Sequence, residues 1–562
     1  MRDSLFGRRA APAAAVLLVF AASPFAEGRP PAAAQPAPAS TTAVDGPTRR
    51  LSVDEAVQLA LEQNLTVQVE RINPQLQDLA IAQVRGNYAP TLTSTMGRAN
   101  SDTPPSSFLS GGQDKVTSTN FQANYGLQQL TPWGGSYSVG FNNARSTTNN
   151  VFTNFNPQVQ SSLALNVTQP LVRGFRVDGV RQQLQVTRKN REISDDQLRQ
   201  TVTNTVRSVK NAYWDLSFAI ANLGVQRQSL DLARQSLRDN RARVEIGTMA
   251  PIDIVQAEAE VAQREETVIV AEAQIAAAQD RLRALVFDPS TPEFWNITVE
   301  PTDAPAFQPM TVDLDGAIEA ALDKRTDLAQ IRKTLEANDI SIDYFRTLTL
   351  PQVDLQVNYG LAGLGGTQYL RGSGFPGPII GKTDRSYSSV LSDIFQNQFP
   401  QWTVGVNISY PLGRSSQEAQ LARARLQNTQ AKKQLDNMQL QAVQQVRDLA
   451  RQVTTNAKRV GATGASRQLA ERRLEAEEKK FAAGMSTTFL VFQAQRDLAQ
   501  ARNNELLAVL DYNKSIVDFQ TVQEAPLGAA GGVAATAIGT GTATTGTTTG
   551  STTGTGRPGG GI

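Results

Sequence analysis

The chain has 562 residues, with 54 Lys+Arg against 52 Asp+Glu, a formal net charge of +2, and neither His nor Cys. Those two zeros exclude a Ser-His-Asp triad, a Cys-His pair, a zinc finger and any disulfide, and the balanced charge argues against a nucleic-acid binder, which needs a concentrated basic face. Only 6% of the residues are aromatic, thin for large globular cores and better suited to long helices.

Residues 1–34 read as a secretory signal. Arg2, Arg8 and Arg9 form a basic start, Ala13–Ala22 is a short apolar run, and Ala32-Ala33-Ala34 offers a small-residue cleavage site. The apolar run is about half the length that spans a bilayer as a helix. Removing this segment takes away four basic and two acidic residues, which leaves a neutral mature chain of 50 against 50. No later segment approaches roughly 20 consecutive apolar residues, so no transmembrane helix is expected.

The rest repeats itself. Val53-Asp54-Glu55-Ala56-Val57 corresponds to Leu314-Asp315-Gly316-Ala317-Ile318, an offset of 261, and Pro90 to Pro351 at the same offset. Gln169-Pro170-Leu171 then matches Tyr410-Pro411-Leu412, while Gly247 and Gln256-Ala257 match Gly484 and Gln493-Ala494 at an offset of 237. Repetition on this scale implies a duplicated supersecondary unit. The boundaries expected are a signal at 1–34, a first repeat at 51–289, a linker at 290–311, a second repeat at 312–525 and a disordered Gly/Thr/Ala-rich tail at 526–562, where Arg557 is the only charge.

Within each repeat, strand-like segments come first. Phe121, Ala123, Tyr125 and Leu127 alternate with polar residues or Gly, as do Tyr137, Val139 and Phe141. Leu163, Leu165 and Val167 do the same in repeat one, and Val353–Tyr359 and Val404–Tyr410 in repeat two. Period two over about ten residues fits transmembrane barrel strands, and equally the strands of a soluble sandwich.

Long polar stretches with a seven-residue period follow. Val202, Val209, Leu216, Leu223, Leu230, Leu237 and Val244 form one ladder, resumed after Gly247–Pro251 by Ile254, Val261, Val268, Ile275 and Leu282. Val446, Val453, Val460, Leu474 and Phe481 form the counterpart, with Arg467 on one rung. A register kept between two halves of one chain predicts a helix, a tight turn and a returning helix in each repeat. A helix from about Asp178 to Ile246 would be on the order of 100 Å long.

In this order of parts the sequence resembles the TolC-type outer-membrane efflux channel family. The resemblance spans roughly residues 51–523. It is carried by LSVDEAVQLALEQN (51–64), NYAPTLT (87–93), NVTQPLVRG (166–174), RVEIGTMAPIDIVQAEAEVA (243–262) and their second-repeat counterparts. The fold it implies is mainly α with β: a duplicated unit forming a trimeric transmembrane β-barrel continuous with a long α-helical coiled-coil tunnel in the periplasm. The function it implies is the passive exit duct of a tripartite efflux or type I secretion system in the outer membrane. Its partners would be two further copies, a periplasmic adaptor (membrane fusion) protein, an inner-membrane RND, ABC or MFS transporter and outer-membrane lipid, and no nucleic acid.

The resemblance also implies sites. The adaptor would dock on the hairpin tips, here Arg243, Gly247 and Thr248 with Lys480, Gly484 and Met485. A Gly at each turn lets the chain reverse, and either Gly could serve only as a helix C-cap. Some members place acidic residues at the narrowed tunnel entrance. Here Asp253 stands in that place, or is simply a solvated carboxylate at a helix start, whereas its second-repeat counterparts are Leu490 and Gln493, so weak cation selectivity is expected. The heptad row Arg227, Arg234 and Arg241 reads as a solvated flank paired with acids on a neighbouring helix, or else as a lumen-facing or adaptor-facing basic stripe. Gly360, Gly363, Gly365 and Gly366 read as an external loop, not a phosphate loop, because no Lys-Ser/Thr follows. No catalytic, cofactor or metal constellation is found.

The family's usual plan gives four strands per protomer and a twelve-stranded trimer. Here an added hairpin, about 119–130 and 135–145 around Thr131-Pro132-Trp133-Gly134-Gly135, raises the count to six. The four-strand barrel is preferred, with the hairpin outside the wall. The rival class is a trimeric coiled-coil adhesin, which would need no paired strands in each repeat.

Overall fold

The computed structural model describes residues 48–527 apart from 107, 111, 113, 293, 305 and 414. The expected signal, and the expected tail beyond residue 527, lie outside the described residues. The described part begins with β1 (Thr48–Leu51), α1 (Val53–Gln63) and α2 (Leu65–Gly86). Four strands follow: β2 (Thr91–Thr103), β3 (Val116–Leu130), β4 (Ser136–Thr148) and β5 (Phe155–Pro170). Then come α3 (Gly179–Glu245), α4 (Ile252–Val286) and β6 (Thr298–Pro301). The second half runs α5 (Leu314–Lys324), α6 (Thr326–Leu348), β7 (Gln352–Arg371), β8 (Ile379–Arg385), α7 (Tyr387–Phe395), β9 (Pro400–Ser409), α8 (Ser416–Ala482) and α9 (Thr488–Val522).

The helix starts are written in the sequence. Ser52 and Glu55 form a reciprocal capping box at α1, and the Asn64 side chain accepts from the Thr66 and Val67 amides to open α2. Asp178 caps α3 through the Arg181 amide, and Ser415 caps α8 through Glu418. α3 and α8 are both 67 residues, about 100 Å long at 1.5 Å per residue, and α4 and α9 are both 35. Among the described residues no helix is long and apolar enough to cross a membrane.

The long helices form one layer. In its lower part the neighbours run α4-α3-α9-α8, and in its upper part α2-α3-α6-α8, so α3 and α8 run through while shorter helices fill the remaining places. Two apolar clusters grip the layer midway. One gathers Val209, Tyr213, Leu216, Leu282 and Val299, the other Val446, Val453, Tyr512 and Phe519. Each buried tyrosine fastens a passing segment. Tyr213 Oη donates to the Leu51 carbonyl and accepts from the Asp303 amide, both at 3.0 Å. Tyr512 Oη donates to the Gln308 carbonyl at 2.7 Å and accepts from the Met310 amide at 2.9 Å. Within the stretch expected as a linker, β6 pairs in parallel with β1.

The other seven strands make one sheet in the order β2-β3-β4-β5-β7-β8, with β9 pairing the opposite end of the same edge of β7, every pair antiparallel. Here the structure departs from the preferred four-strand plan. The β3–β4 hairpin lies inside the sheet, hydrogen-bonded to β2 on one side and β5 on the other. The reason is visible in its pattern: both strands carry the same apolar-polar alternation as their neighbours, so they fit a wall with two different faces.

Candidate functional site

Opposed residues in an antiparallel ladder share a face, so the register sorts the wall into two. One row across six strands is Leu92, Leu127, Val139, Leu165, Tyr359 and Trp402. The adjoining row on the other face is Thr91, Gln128, Ser138, Asn166, Asn358 and Thr403. An apolar face suits lipid and a face of hydroxyls and amides suits a water-filled lumen.

On the apolar face lies α7. Its Val390 and Ile394 are buried against the sheet, and Ser386 caps it through the Ser389 amide. The glycines expected in an external loop are in β7 instead, and the close approach of α7 explains two of them. A Cβ on Gly363 would come 2.4 Å from the Val390 carbonyl oxygen, and one on Gly365 2.4 Å from a Val390 methyl. Arg385 pairs with Asp393 at 2.8 Å, and Tyr387 Oη donates to Asn143 at 2.9 Å, which clamps the helix at both ends. Phe395 is left 80% exposed and Trp402 72%. Nothing in the alternation of the sequence signals α7, because it interrupts a descending strand whose two pieces are β8 and β9.

At the far end of the long helices, the two turns are built alike. Gly247 has φ +79° and Gly484 +76°. After α3 the Gly247 amide donates to Val244 O at 3.0 Å and the Thr248 amide to Arg243 O at 2.9 Å. After α8 the Gly484 amide donates to Phe481 O at 3.1 Å and the Met485 amide to Lys480 O at 2.8 Å. Both are Schellman caps, in which a left-handed glycine lets two amides satisfy the last free carbonyls. The C-cap reading of these glycines therefore holds, and among the described residues no atom of another group lies within 4 Å of where either Cβ would stand.

The tips also meet each other. The Arg243 guanidinium lies 4.4 Å from the Phe481 ring centroid, a cation–π contact between the end of α3 and the end of α8. Thr248 Oγ1 donates to Arg243 O at 3.0 Å. Lys480 pairs with Glu477 at 2.7 Å, and Glu477 also accepts from Ser486 at 2.9 Å; the lysine first and then the serine hold its carboxyl below the usual carboxylate range. Met485 is 75% exposed at the extremity. Phe481 was legible only as a heptad rung, and its role as the partner of Arg243 depends on how α3 and α8 meet.

The expected gate positions lie just beyond. Asp253 is in the first turn of α4, while Leu490 and Gln493 are in the first turns of α9. Behind them Gln495 Nε2 donates to Ser236 Oγ at 3.2 Å, and Arg496 reaches Glu260 at 3.3 Å. The arginine row pairs as expected of a solvated flank: Arg227 with Glu272 at 2.9 Å, Arg234 with Glu265 at 2.8 Å and Arg241 with Glu258 at 2.6 Å, all about half exposed.

Comparison with known proteins agrees with this geometry. The pattern of one family, described as "Outer membrane efflux protein", matches residues 136–286 and 317–520, more than half of the chain. No match is found among curated proteins. Among solved structures, the chain is similar to the CmeC outer membrane channel of Campylobacter jejuni, with a TM-score of 0.59 at 13% identity over 84% of this chain and 85% of that one. It is similar to the outer membrane protein VceC of Vibrio cholerae, with a TM-score of 0.57 at 15% identity over 84% and 96%. The open state of the MtrE outer membrane channel of Neisseria gonorrhoeae gives a TM-score of 0.58 at 14% identity over 84% and 89%. At these identities the likeness is one of fold, and the expected fold class, mainly α with β, is the one found.

Proposed function

The chain belongs to the outer membrane efflux protein family, and from that premise we propose that it is the passive exit duct of a tripartite export system. Three copies close a barrel in the outer membrane and continue it as a helical tunnel through the periplasm. A periplasmic adaptor docks on the tips at Arg243, Gly247, Thr248, Lys480, Gly484 and Met485, and an inner-membrane transporter of the RND, ABC or MFS class delivers the cargo. The family is one of channels, and the chain carries out no chemistry of its own.

One observation carries the reading: a two-faced strand wall stands on two helical hairpins of matched length, each ending in the same glycine turn. A single copy cannot use such a wall, since its sheet edges would be left open in lipid. The paired caps support docking because a glycine turn lets a partner's backbone come close. Asp253 serves as the acidic position of the entrance, where the second repeat carries Leu490 and Gln493.

The test replaces Gly247 and Gly484 together by Trp in a strain that depends on this channel for export. Export is expected to stop while the protein still reaches the outer membrane as a trimer. Unimpaired export would remove the tips from the docking surface.

A further inference from the structure

Among the described residues the sheet has two free edges. Every residue of β2 is exposed, and so is every residue of β9 except Gly405. Strand directions alternate from β2 through β3, β4, β5 and β7 to β9, so the two edges run opposite ways. Their faces also match. On the apolar side β2 offers Leu92 and Met96, exposed by 76% and 65%, and β9 offers Val404 and Ile408, exposed by 58% and 68%. On the polar side stand Thr91, Thr93 and Thr95 of β2 and Thr403 and Asn407 of β9.

We propose that the β2 edge of one copy pairs antiparallel with the β9 edge of a second, so that three copies close a single barrel of eighteen strands. The proposal rests on the trimeric channel reading and adds to it the strand number and the seam. A head-to-tail seam repeats at every copy and leaves no edge in lipid. Pairing β2 with β2 would close two copies by a two-fold axis and leave both β9 edges bare.

The hairpin is a full part of this wall. Leu127 on β3 and Val139 on β4 complete the apolar row, and Gln128 and Ser138 the polar one. Its periplasmic end is seated on the helical layer: Gln129 Nε2 donates to the Tyr88 carbonyl at 2.8 Å, and Gly134 lies beside the Arg181 guanidinium and the Gly174 carbonyl. Barrel diameter grows roughly linearly with strand number, so eighteen strands give an exit about 1.5-fold wider than twelve. Among the described residues the layer below offers four helix positions per copy. The duct therefore widens from tunnel to exit, and the barrel does not set the size of what passes.

The test images the purified native trimer by electron cryomicroscopy, where eighteen strands are expected in the wall. A twelve-stranded trimer with β3 and β4 outside the wall would overturn this inference and leave the channel reading standing. A protein that forms no closed trimeric barrel would overturn both. Because the chain has no cysteine, the seam can be trapped independently. Thr95→Cys is combined in turn with Gln401→Cys, Thr403→Cys, Gly405→Cys and Asn407→Cys, and oxidation is expected to give covalent trimers for at least one pair. Absence of cross-linking at all four would overturn the seam.

Discussion

The Arg243 guanidinium lies 4.4 Å from the centre of the Phe481 ring and fastens the end of α3 to the end of α8. Both residues have a second task. The Arg243 carbonyl receives the Thr248 amide and the Phe481 carbonyl receives the Gly484 amide, so each helps to close its own glycine turn. The contact between repeats is thus built from the residues that end the helices, and loosening one tip disturbs the other.

Truncating either partner should expose both turns. Arg243→Ala and Phe481→Ala are expected to speed amide exchange at residues 243–248 and 481–486 alike, with a coupling in the double-mutant cycle of about 0.5–1 kcal/mol. Strictly additive effects would mean that the ring and the guanidinium do not interact in solution.

The two glycine caps should respond equally. Each has open space for a Cβ, so Gly247→Ala and Gly484→Ala strain only the backbone, by roughly 1–2 kcal/mol. Exchange at each tip should rise by a similar factor, with the rest of the helices unchanged. A much larger loss at one site would reveal a packing role that the free chain does not have.

Ion selectivity should be weak and should rest on one position. On the proposed entrance, with Leu490 and Gln493 in the second repeat, a trimer would carry a single set of Asp253 carboxylates, and a ring of charge in a narrow pore sets selectivity. Asp253→Asn is expected to bring the reversal potential under a salt gradient close to zero, and Leu490→Asp to increase cation preference. Strong selectivity that survives Asp253→Asn would place the filter elsewhere.

The outer-wall helix should depend on a missing side chain. Gly363→Leu has no room beneath Val390 and is expected to release α7 from the sheet, which protease cleavage within residues 386–399 would register. Strand pairing of β7 with β5 should persist, since the substitution points away from the ladder. Protection equal to the native chain would show that α7 has another place to pack.

Much of this architecture is legible in the sequence. Seven-residue periodicity marked α3 and α8, because a helix packed along its length must repeat its apolar positions, and Asp178 marked the start of α3, whereas the Ser415 cap of α8 emerges only in the structure. Gly247 and Gly484 marked the turns for the conformational reason that few other residues adopt a positive φ. The alternation of Tyr137–Phe141 marked a strand, yet it could not say where in a sheet that strand lies. Membership of β3 and β4 in the wall follows from pairing with β2 and β5, which is a long-range choice. α7 was hidden for a related reason: its support is the pair Gly363 and Gly365, which as sequence looks like a loop. The Arg243–Phe481 contact joins residues more than two hundred positions apart and has no local signature.

The most direct measurement is single-channel recording of the purified native protein in a planar lipid bilayer. The expected result is long-lived conductance steps of uniform size, ohmic and weakly cation-selective, that appear only with the trimeric fraction. Trimers that insert into the bilayer and pass no current at any voltage, with the tips intact or with Arg243→Ala, would contradict the channel itself.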